Sequence, residues 1–285
     1  MKSVVITGAS SGIGFAACEK FLAQGYIVFG SVRKTSDASR LKKLFGERFI
    51  PLLFDVNDKV SIINGAKIVK KKLGENILTA LVNNAGIAIL GPLEFLDIND
   101  FKRQLETNVV GTLNCIQAFL PLLGSKNKKI TQGRGRIINI SSALGGKIGY
   151  PFYGAYCSSK HGLEGLSESL RRELAVHDIF VSIVAPGAIE TPIWDKAEHA
   201  AFDQKYDQTP YKNPFKKMIA DMKKIGSKSL KPEIVAKKIL QAVETKKPKI
   251  RYTFISEFTL NLLYFAPRAL IDRLVTRYLG LKNNN

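Results

Sequence analysis

Cysteine, histidine and tryptophan are scarce in this chain of 285 residues, which holds three, three and one of them. Cys18, Cys115 and Cys157 are odd in number, scattered, and never in a C-x-x-C spacing. That argues against a disulfide framework or a zinc site, and for a reducing compartment. His161, His177 and His199 are too dispersed for a metal cluster, so no metal is expected. Long apolar runs are also missing. The richest late stretch, "FTLNLLYFAP", falls far short of the ~18 residues a spanning helix needs. The opening "MKSVVITGAS" enters a β-branched run directly, with no apolar leader and cleavage site, so no signal peptide is expected. Gly and Pro are not in excess, and hydrophobic residues make up 45%, enough for a substantial core. The expectation is a soluble, cytoplasmic protein of one domain over 1–285.

Acidic residues are under-represented: 43 basic minus 24 acidic gives a net charge of +19. The excess gathers at 70–72, 126–129, 216–238 and 246–249. Such a field attracts nucleic acid or anionic lipid. The runs are not interleaved with aromatics and accompany no nucleic-acid-binding motif, so nucleic acid is not an expected partner. A solvated lysine-rich surface is the plainer reading.

Short β-branched runs alternate with helical patterns. "SVVITG" (3–8), "YIVFGSV" (26–32), "IPLLFDV" (50–56), "LTALVNNAG" (78–86), "GRIINISS" (135–142) and "IFVSIVAPG" (179–187) read as strands, several nearly continuous in apolar residues. "FAACEKFLAQG", "IINGAKIVKKKLG", a long segment over roughly 99–122 and 156–174 read as helices. This rhythm predicts an α/β protein with a doubly wound parallel sheet and helices on both faces. The Lys- and aromatic-rich segment 188–230 breaks it and reads as a substrate lid. "PEIVAKKILQAVE" resumes as helix, "IRYTFI" is a candidate last strand, and 258–279 forms an amphipathic helical tail. In that tail Phe258, Leu262, Phe265, Leu270 and Leu274 make an apolar stripe near Arg268, Arg273 and Arg277. The stripe either packs over the substrate pocket or rests peripherally on an anionic membrane surface.

Two stretches carry chemistry. In "YCSSKHGLEGLSESLRREL", Leu163, Leu166, Leu170 and Leu174 define an inward helical face, and that face extends back to Lys160 and Tyr156. An unpaired buried ammonium is costly, so a partner must wait for Lys160. In "TGASSGIG" (7–14) the glycines follow a strand and open a helix. They permit a tight turn and let a diphosphate approach backbone N–H groups, which makes Gly8, Ser10, Ser11, Gly12, Ile13 and Gly14 candidates for holding a dinucleotide.

"TGASSGIG", "FDV" (54–56), "NNAG" (83–86), "ETNVVGT", "INISS" (138–142), "YCSSK" (156–160) and "PGAIETP" (186–192) follow one another in an order and at intervals that resemble the short-chain dehydrogenase/reductase family over residues 3 to about 192. The tail more weakly resembles its retinol and hydroxysteroid dehydrogenase-like members. The resemblance implies a Rossmann-type fold and an oxidoreductase in which Tyr156 is the general acid/base. Lys160 then binds the nicotinamide ribose and holds the phenol's pKa down. A free Tyr has pKa ~10, and an adjacent cation lowers it by about 1–3 units, so the physics agrees. Ser142 is implied as the hydrogen-bond partner of the substrate oxygen, and Asn108 as the residue ordering a helix kink and a proton-relaying water. Ser142 lies one residue further from Tyr156 than the family shows, so the 143–155 loop carries an extra residue or the register favours Ser141. The same resemblance adds Asp55, Val56, Asn84, Ala85, Gly86, Pro186, Gly187, Ile189 and Thr191 to the cofactor site. His161 and His177 receive no role.

Cofactor choice is read at the end of the second strand. NAD selection needs a carboxylate there. In "YIVFGSVRK" the place of that acid is Val32, followed by Arg33, whose guanidinium suits a 2′-phosphate. NADP(H) is therefore expected over NAD(H). The expected reaction interconverts an alcohol and its carbonyl on an apolar steroid-, retinoid- or lipid-like molecule, in a homodimer or homotetramer. A 3-oxoacyl-carrier-protein reductase is the alternative enzyme, and a non-catalytic dinucleotide sensor the alternative of another kind.

Overall fold

A computed structural model describes residues 1–125, 134–143, 145–191, 205–226, 229–254 and 266–281. Seven strands form one sheet: β1 (Ser3–Ile6), β2 (Ile27–Val32), β3 (Phe49–Leu53), β4 (Ala80–Asn83), β5 (Arg136–Ile140), β6 (Phe180–Pro186) and β7 (Arg251–Phe254). Their order is β3-β2-β1-β4-β5-β6-β7, and every pairing is parallel. Chain direction across the sheet reverses between β1 and β4, the crevice where open α/β sheets bind ligands.

Parallel strands need crossovers, and the helices supply them: α1 (Gly12–Ala23), α2 (Thr35–Phe45), α3 (Lys59–Leu73), α4 (Ile98–Leu105), α5 (Gly111–Phe119), α6 (Gly154–Glu173), α7 (Lys212–Gly226), α8 (Pro232–Glu244) and α9 (Arg268–Leu279). Successive strand side chains alternate faces, so β1 sends Val4 and Ile6 to one core and Val5 to the other. The first core packs Ala17, Phe21, Val235 and Ile239 of α1 and α8; the second packs Ile62 and Val69 of α3 with Cys115 and Phe119 of α5. Leu163 of α6 and Leu174 of the 3-10 turn that follows it are buried, and Leu166 and Leu170 of α6 pack against the second core, as the leucine spacing requires.

Three details depart from the sequence reading. α2 was not anticipated; it buries only Leu41, so its apolar period is nearly silent. The long helix of 99–122 is four pieces: α4, a π-turn at Glu106–Val110, α5, and a 3-10 turn at Leu120–Leu123. In the tail, α9 turns Ile271, Val275 and Leu279 inward against Phe215, Met218 and Ile219 of α7, while Leu270 and Leu274 stay 45% and 49% exposed. The buried face is thus one residue on from the expected stripe. Phe258, Leu262 and Phe265, like 192–204 of the lid and 126–129 of the basic runs, lie outside the described residues. Among the described residues no helix is long and apolar enough to cross a membrane, and no group of three or more His, Cys, Asp or Glu is placed to hold a metal.

Candidate active site

The expected site residues gather along the carboxyl ends of the strands. β1 runs into the glycine turn. Gly8 takes φ 69° and Gly12 φ 54°, both left-handed conformations that favour glycine. A Cβ on Gly14 would stand 2.1 Å from the Gly8 carbonyl oxygen and 2.6 Å from Asn84 Nδ2, so the turn closes only over a bare Cα. Ser31 of β2 fixes the turn from beside it: its hydroxyl accepts from the Gly8 N–H at 3.1 Å and its carbonyl from the Ala9 N–H at 2.9 Å. Thr7 ties the turn to β4, its hydroxyl accepting from the N–H groups of Asn84 and Ala85 at 2.9 Å each. Asn84 returns the bond by donating to the Thr7 carbonyl at 2.9 Å. Ser11 makes no side-chain cap on α1, so the first-turn N–H groups are left for another acceptor.

At the end of β2, Val32 is buried and Arg33 projects outward, 3.7 Å from the Asp55 carboxylate with 69% of its side chain exposed. An ion pair that open contributes little. Val56 packs against Gly111 of α5. Arg40 of α2 also reaches this rim, donating to the Ser10 carbonyl at 2.9 Å and pairing with Asp37 at 3.1 Å. No motif marks Arg40 in the sequence, because the helix that carries it buries only Leu41 and has almost no apolar period.

Past Gly86 the chain runs extended, clamped from below. Asn108 accepts from the Ile87 N–H at 2.9 Å and donates to the Ile87 carbonyl at 3.0 Å and to Ser159 Oγ at 3.0 Å. Gln104, fully buried, accepts from the Ile89 N–H at 2.7 Å and donates to the Ile87 carbonyl at 2.8 Å. Gly111 N–H bonds back to the Glu106 carbonyl, five residues earlier, and this π-turn aims Asn108 at the loop. Both N–H donors of Asn108 are used within the protein. The π-turn falls at Asn108, and its side chain holds the backbone of Ile87 on both sides.

Tyr156 and Lys160 lie one turn apart near the start of α6, 7% exposed each. What waits for the ammonium is a backbone oxygen: Lys160 Nζ donates to the Ile140 carbonyl, at the end of β5, at 2.8 Å. Nζ stands 5.8 Å from the Tyr156 ring centroid. Burial pushes the Lys160 ammonium down to about 8, with the Glu164 carboxylate pulling the other way. Burial likewise pushes the Tyr156 phenol up to about 12, against a hydrogen bond from Ser142. Desolvation is the largest influence on the phenol, and the hydrogen bond from Ser142 is the one that eases its ionisation. Of the two serines, Ser142 faces Tyr156 and accepts from the Gly145 N–H at 3.1 Å. Ser141 is buried, and its hydroxyl has no partner among the described residues.

The far wall follows β6. Pro186 accepts from the Ala143 N–H at 2.8 Å, Gly187 N–H donates to Phe254, and Ile189 bridges to Leu230. Thr191, partly exposed, is the last described residue before 205. Over the start of α6 lies a third apolar cluster, in which Phe152, Tyr206, Phe215, Met218 and Ile219 are buried and Tyr150, Tyr153 and Tyr211 pack against them. Phe152, four residues before Tyr156, adopts φ 69°, a strained value for a bulky side chain.

A glycine turn at the switch point, an extended loop after β4, and a Tyr/Lys/Ser group beside β5 define a dinucleotide-binding α/β oxidoreductase. The chain belongs to the short chain dehydrogenase family, whose profile matches residues 2–201. It is 38% identical over 279 residues, 96% of each chain, to the NADPH-dependent 3-dehydrocapnine reductase of Ornithobacterium rhinotracheale. It is 41% identical over 191 residues to human retinol dehydrogenase 5, covering 67% of this chain and 57% of that one. Among solved structures, a short-chain dehydrogenase from Streptomyces avermitilis superposes with a TM-score of 0.75 at 26% identity, over 99% of this chain and 98% of that one. ElxO with NADP bound superposes with a TM-score of 0.70 at 27% identity, over 88% and 96%.

Proposed function

We propose that this oxidoreductase uses NADP(H) to interconvert an alcohol and its carbonyl on an apolar substrate, with Tyr156 moving the proton. The observation carrying the proposal is the meeting of Tyr156, Ser142 and Lys160 beneath an aromatic cluster. The residues present fit the cofactor. The uncapped N-terminus of α1 and the closely approached glycines suit a diphosphate. Val32 offers no carboxylate to a ribose 2′-OH, while Arg33 and Arg40 set two guanidinium groups at the rim where a 2′-phosphate would lie. Relatives named for NADPH, or solved with NADP bound, support the same choice.

The nicotinamide, when bound, supplies or accepts the hydride. The protein's part is to hold and move a proton at Tyr156 Oη. Burial raises the phenol and the hydrogen bond from Ser142 lowers it, so Ser142 is the group that brings Tyr156 Oη nearer to the range in which proton transfer is efficient. Ser142 Oγ orients that oxygen. Lys160 Nζ, held against Ile140, binds the ribose. Phe152, Phe215 and Tyr211 exclude water and contact the apolar body of the substrate.

NADPH oxidation measured against ketosteroids, retinal, β-ketoacyl thioesters and 3-dehydrocapnine tests the reading. Turnover of at least one apolar carbonyl is expected; turnover of none would overturn it. Preference for an acyl-carrier thioester alone would favour the 3-oxoacyl reductase.

A further inference from the structure

The α6 face that carries Tyr156 and Lys160 continues one turn to Glu164, a residue no motif singled out. Glu164 is engaged by Arg251 of β7 in a forked ion pair. Arg251 Nε lies 3.2 and 3.1 Å from the two carboxylate oxygens, and Nη2 lies 3.1 Å from Oε1. The side chains are only 19% and 15% exposed. Arg251 Nη2 also donates to the Ser142 carbonyl at 3.2 Å. The turn between them leaves no spare room: a Cβ on Gly146 would stand 2.6 Å from Glu164 Oε1 and 2.6 Å from Ser141 Oγ.

We infer that the Glu164–Arg251 pair is a positioning device with two separable outputs: Arg251 holds the Ser142 turn against Tyr156, and the pair fixes the Glu164 carboxylate one helical turn from Lys160. The inference rests on the reading of Ser142 and Lys160 as substrate- and cofactor-binding groups. A half-buried pair is a weak source of net stability, since desolvation offsets most of the attraction. Its value lies in where it puts charge. Among the groups around Lys160, the Ile140 carbonyl comes from β5, and Tyr156 and Glu164 come from α6 itself. β6 carries no charged residue. From the helical segment packed on α6, Lys102, Arg103 and Glu106 are exposed, and Asp100 is paired with Arg103 at 3.0 Å. Among the described residues, Glu164, itself paired with the Arg251 cation of β7, is the carboxylate that opposes the burial of the ammonium.

The test uses the intact enzyme and three variants: Glu164→Gln, Arg251→Lys, and the exchange Glu164→Arg with Arg251→Glu. Lys160 is titrated in the resting protein by the 13Cε shift of labelled lysine, assigned with Lys160→Arg. Glu164→Gln should lower its midpoint by about half to one pH unit. The resulting loss of kcat/KM for carbonyl reduction should be several-fold greater at pH 9 than at pH 6.5. Arg251→Lys should keep the midpoint but raise KM for the carbonyl several-fold more than the Kd for NADPH. The exchange should recover melting temperature yet leave Lys160 titrating lower still, because a cation now sits one turn away. An unmoved midpoint in Glu164→Gln, or an exchange that restores both melting temperature and midpoint, would show a purely structural pair. If no carbonyl is turned over, the functional reading fails, while the resting titration still decides the role of Glu164.

Discussion

The two sides of the cleft are built by different forces. The cofactor side is held by short directional bonds: Thr7 to Asn84 and Ala85, Ser31 to Gly8, Asn108 and Gln104 to the loop at 87–89. The substrate side is held by rings. Phe152 meets Phe215 at 5.3 Å and Tyr211 at 5.9 Å, and Tyr206 meets Phe215 at 5.2 Å, all near edge-to-face. A hydrogen bond tolerates one geometry, whereas edge-to-face contacts shift at small cost. On the proposed reading, the cofactor meets the wall of directional bonds and the substrate meets the wall of rings.

The comparison breaks most sharply at the residue between the walls. Tyr156→Phe should lower kcat by about a thousandfold or more while NADPH still binds. Activity above a tenth of wild type would remove Tyr156 from proton transfer. Gly14→Ala should strike the rigid wall alone, since the new methyl meets backbone at 2.1 Å; NADPH Kd should rise about 30-fold or more in a protein whose circular dichroism stays native. Phe215→Ala should strike the adaptable wall, raising KM roughly tenfold and costing about 3 kcal/mol in denaturant unfolding, with NADPH Kd little changed. Equal losses of cofactor and substrate binding would mean that the walls are not independent. Arg33→Ala should narrow the preference for NADPH over NADH by about tenfold, read as a ratio of kcat/KM values.

The smallest expected effect concerns the stability cost of the site. The Lys160 midpoint of about 8 lies below the ordinary 10.5, so the unfolded chain binds more protons between those values. The burial penalty is complete below pH 8 and fades as pH rises through that window. Lys160→Met should therefore raise the melting temperature at pH 7 by roughly 2–4 °C, a net gain of about 1 kcal/mol after Ile140 loses its donor. The gain should vanish near pH 10. Tyr156 acts oppositely: with its midpoint raised to about 12, the native state loses stability from pH 10 upward.

The sheet, its strands and the glycine turn were legible because each is a short-range pattern: β-branched runs, a turn that needs bare Cα atoms, leucines at helical spacing. α2 was not, because a helix that buries only Leu41 leaves almost no apolar period. The inward face of Lys160 could be read from spacing, but its partner could not, since a backbone carbonyl twenty residues away carries no side-chain signature. Glu164 was within reach, four residues beyond Lys160 on the same face. Arg251 left a fainter trace, a guanidinium inside a run that otherwise reads as strand, which implies a counter-charge. The sign of the Tyr156 shift depends on the depth of burial, and that is a property of the assembled layers.

A last consequence belongs to assembly. Asn83 of β4 and Asn139 of β5 lie opposite one another; Asn83 donates to Asn139 at 2.8 Å across a sequence separation of 56, and Asn139 donates to Ser167 of α6 at 2.8 Å. Shifting β5 by one residue would turn its amide to the opposite face, among apolar side chains, at a cost of a few kcal/mol. Parallel strands brought together from afar pair slowly, and apolar strands alone discriminate poorly between registers. The two amides thus mark one register at the middle of the sheet, and with it the height at which the strand ends under the cleft line up.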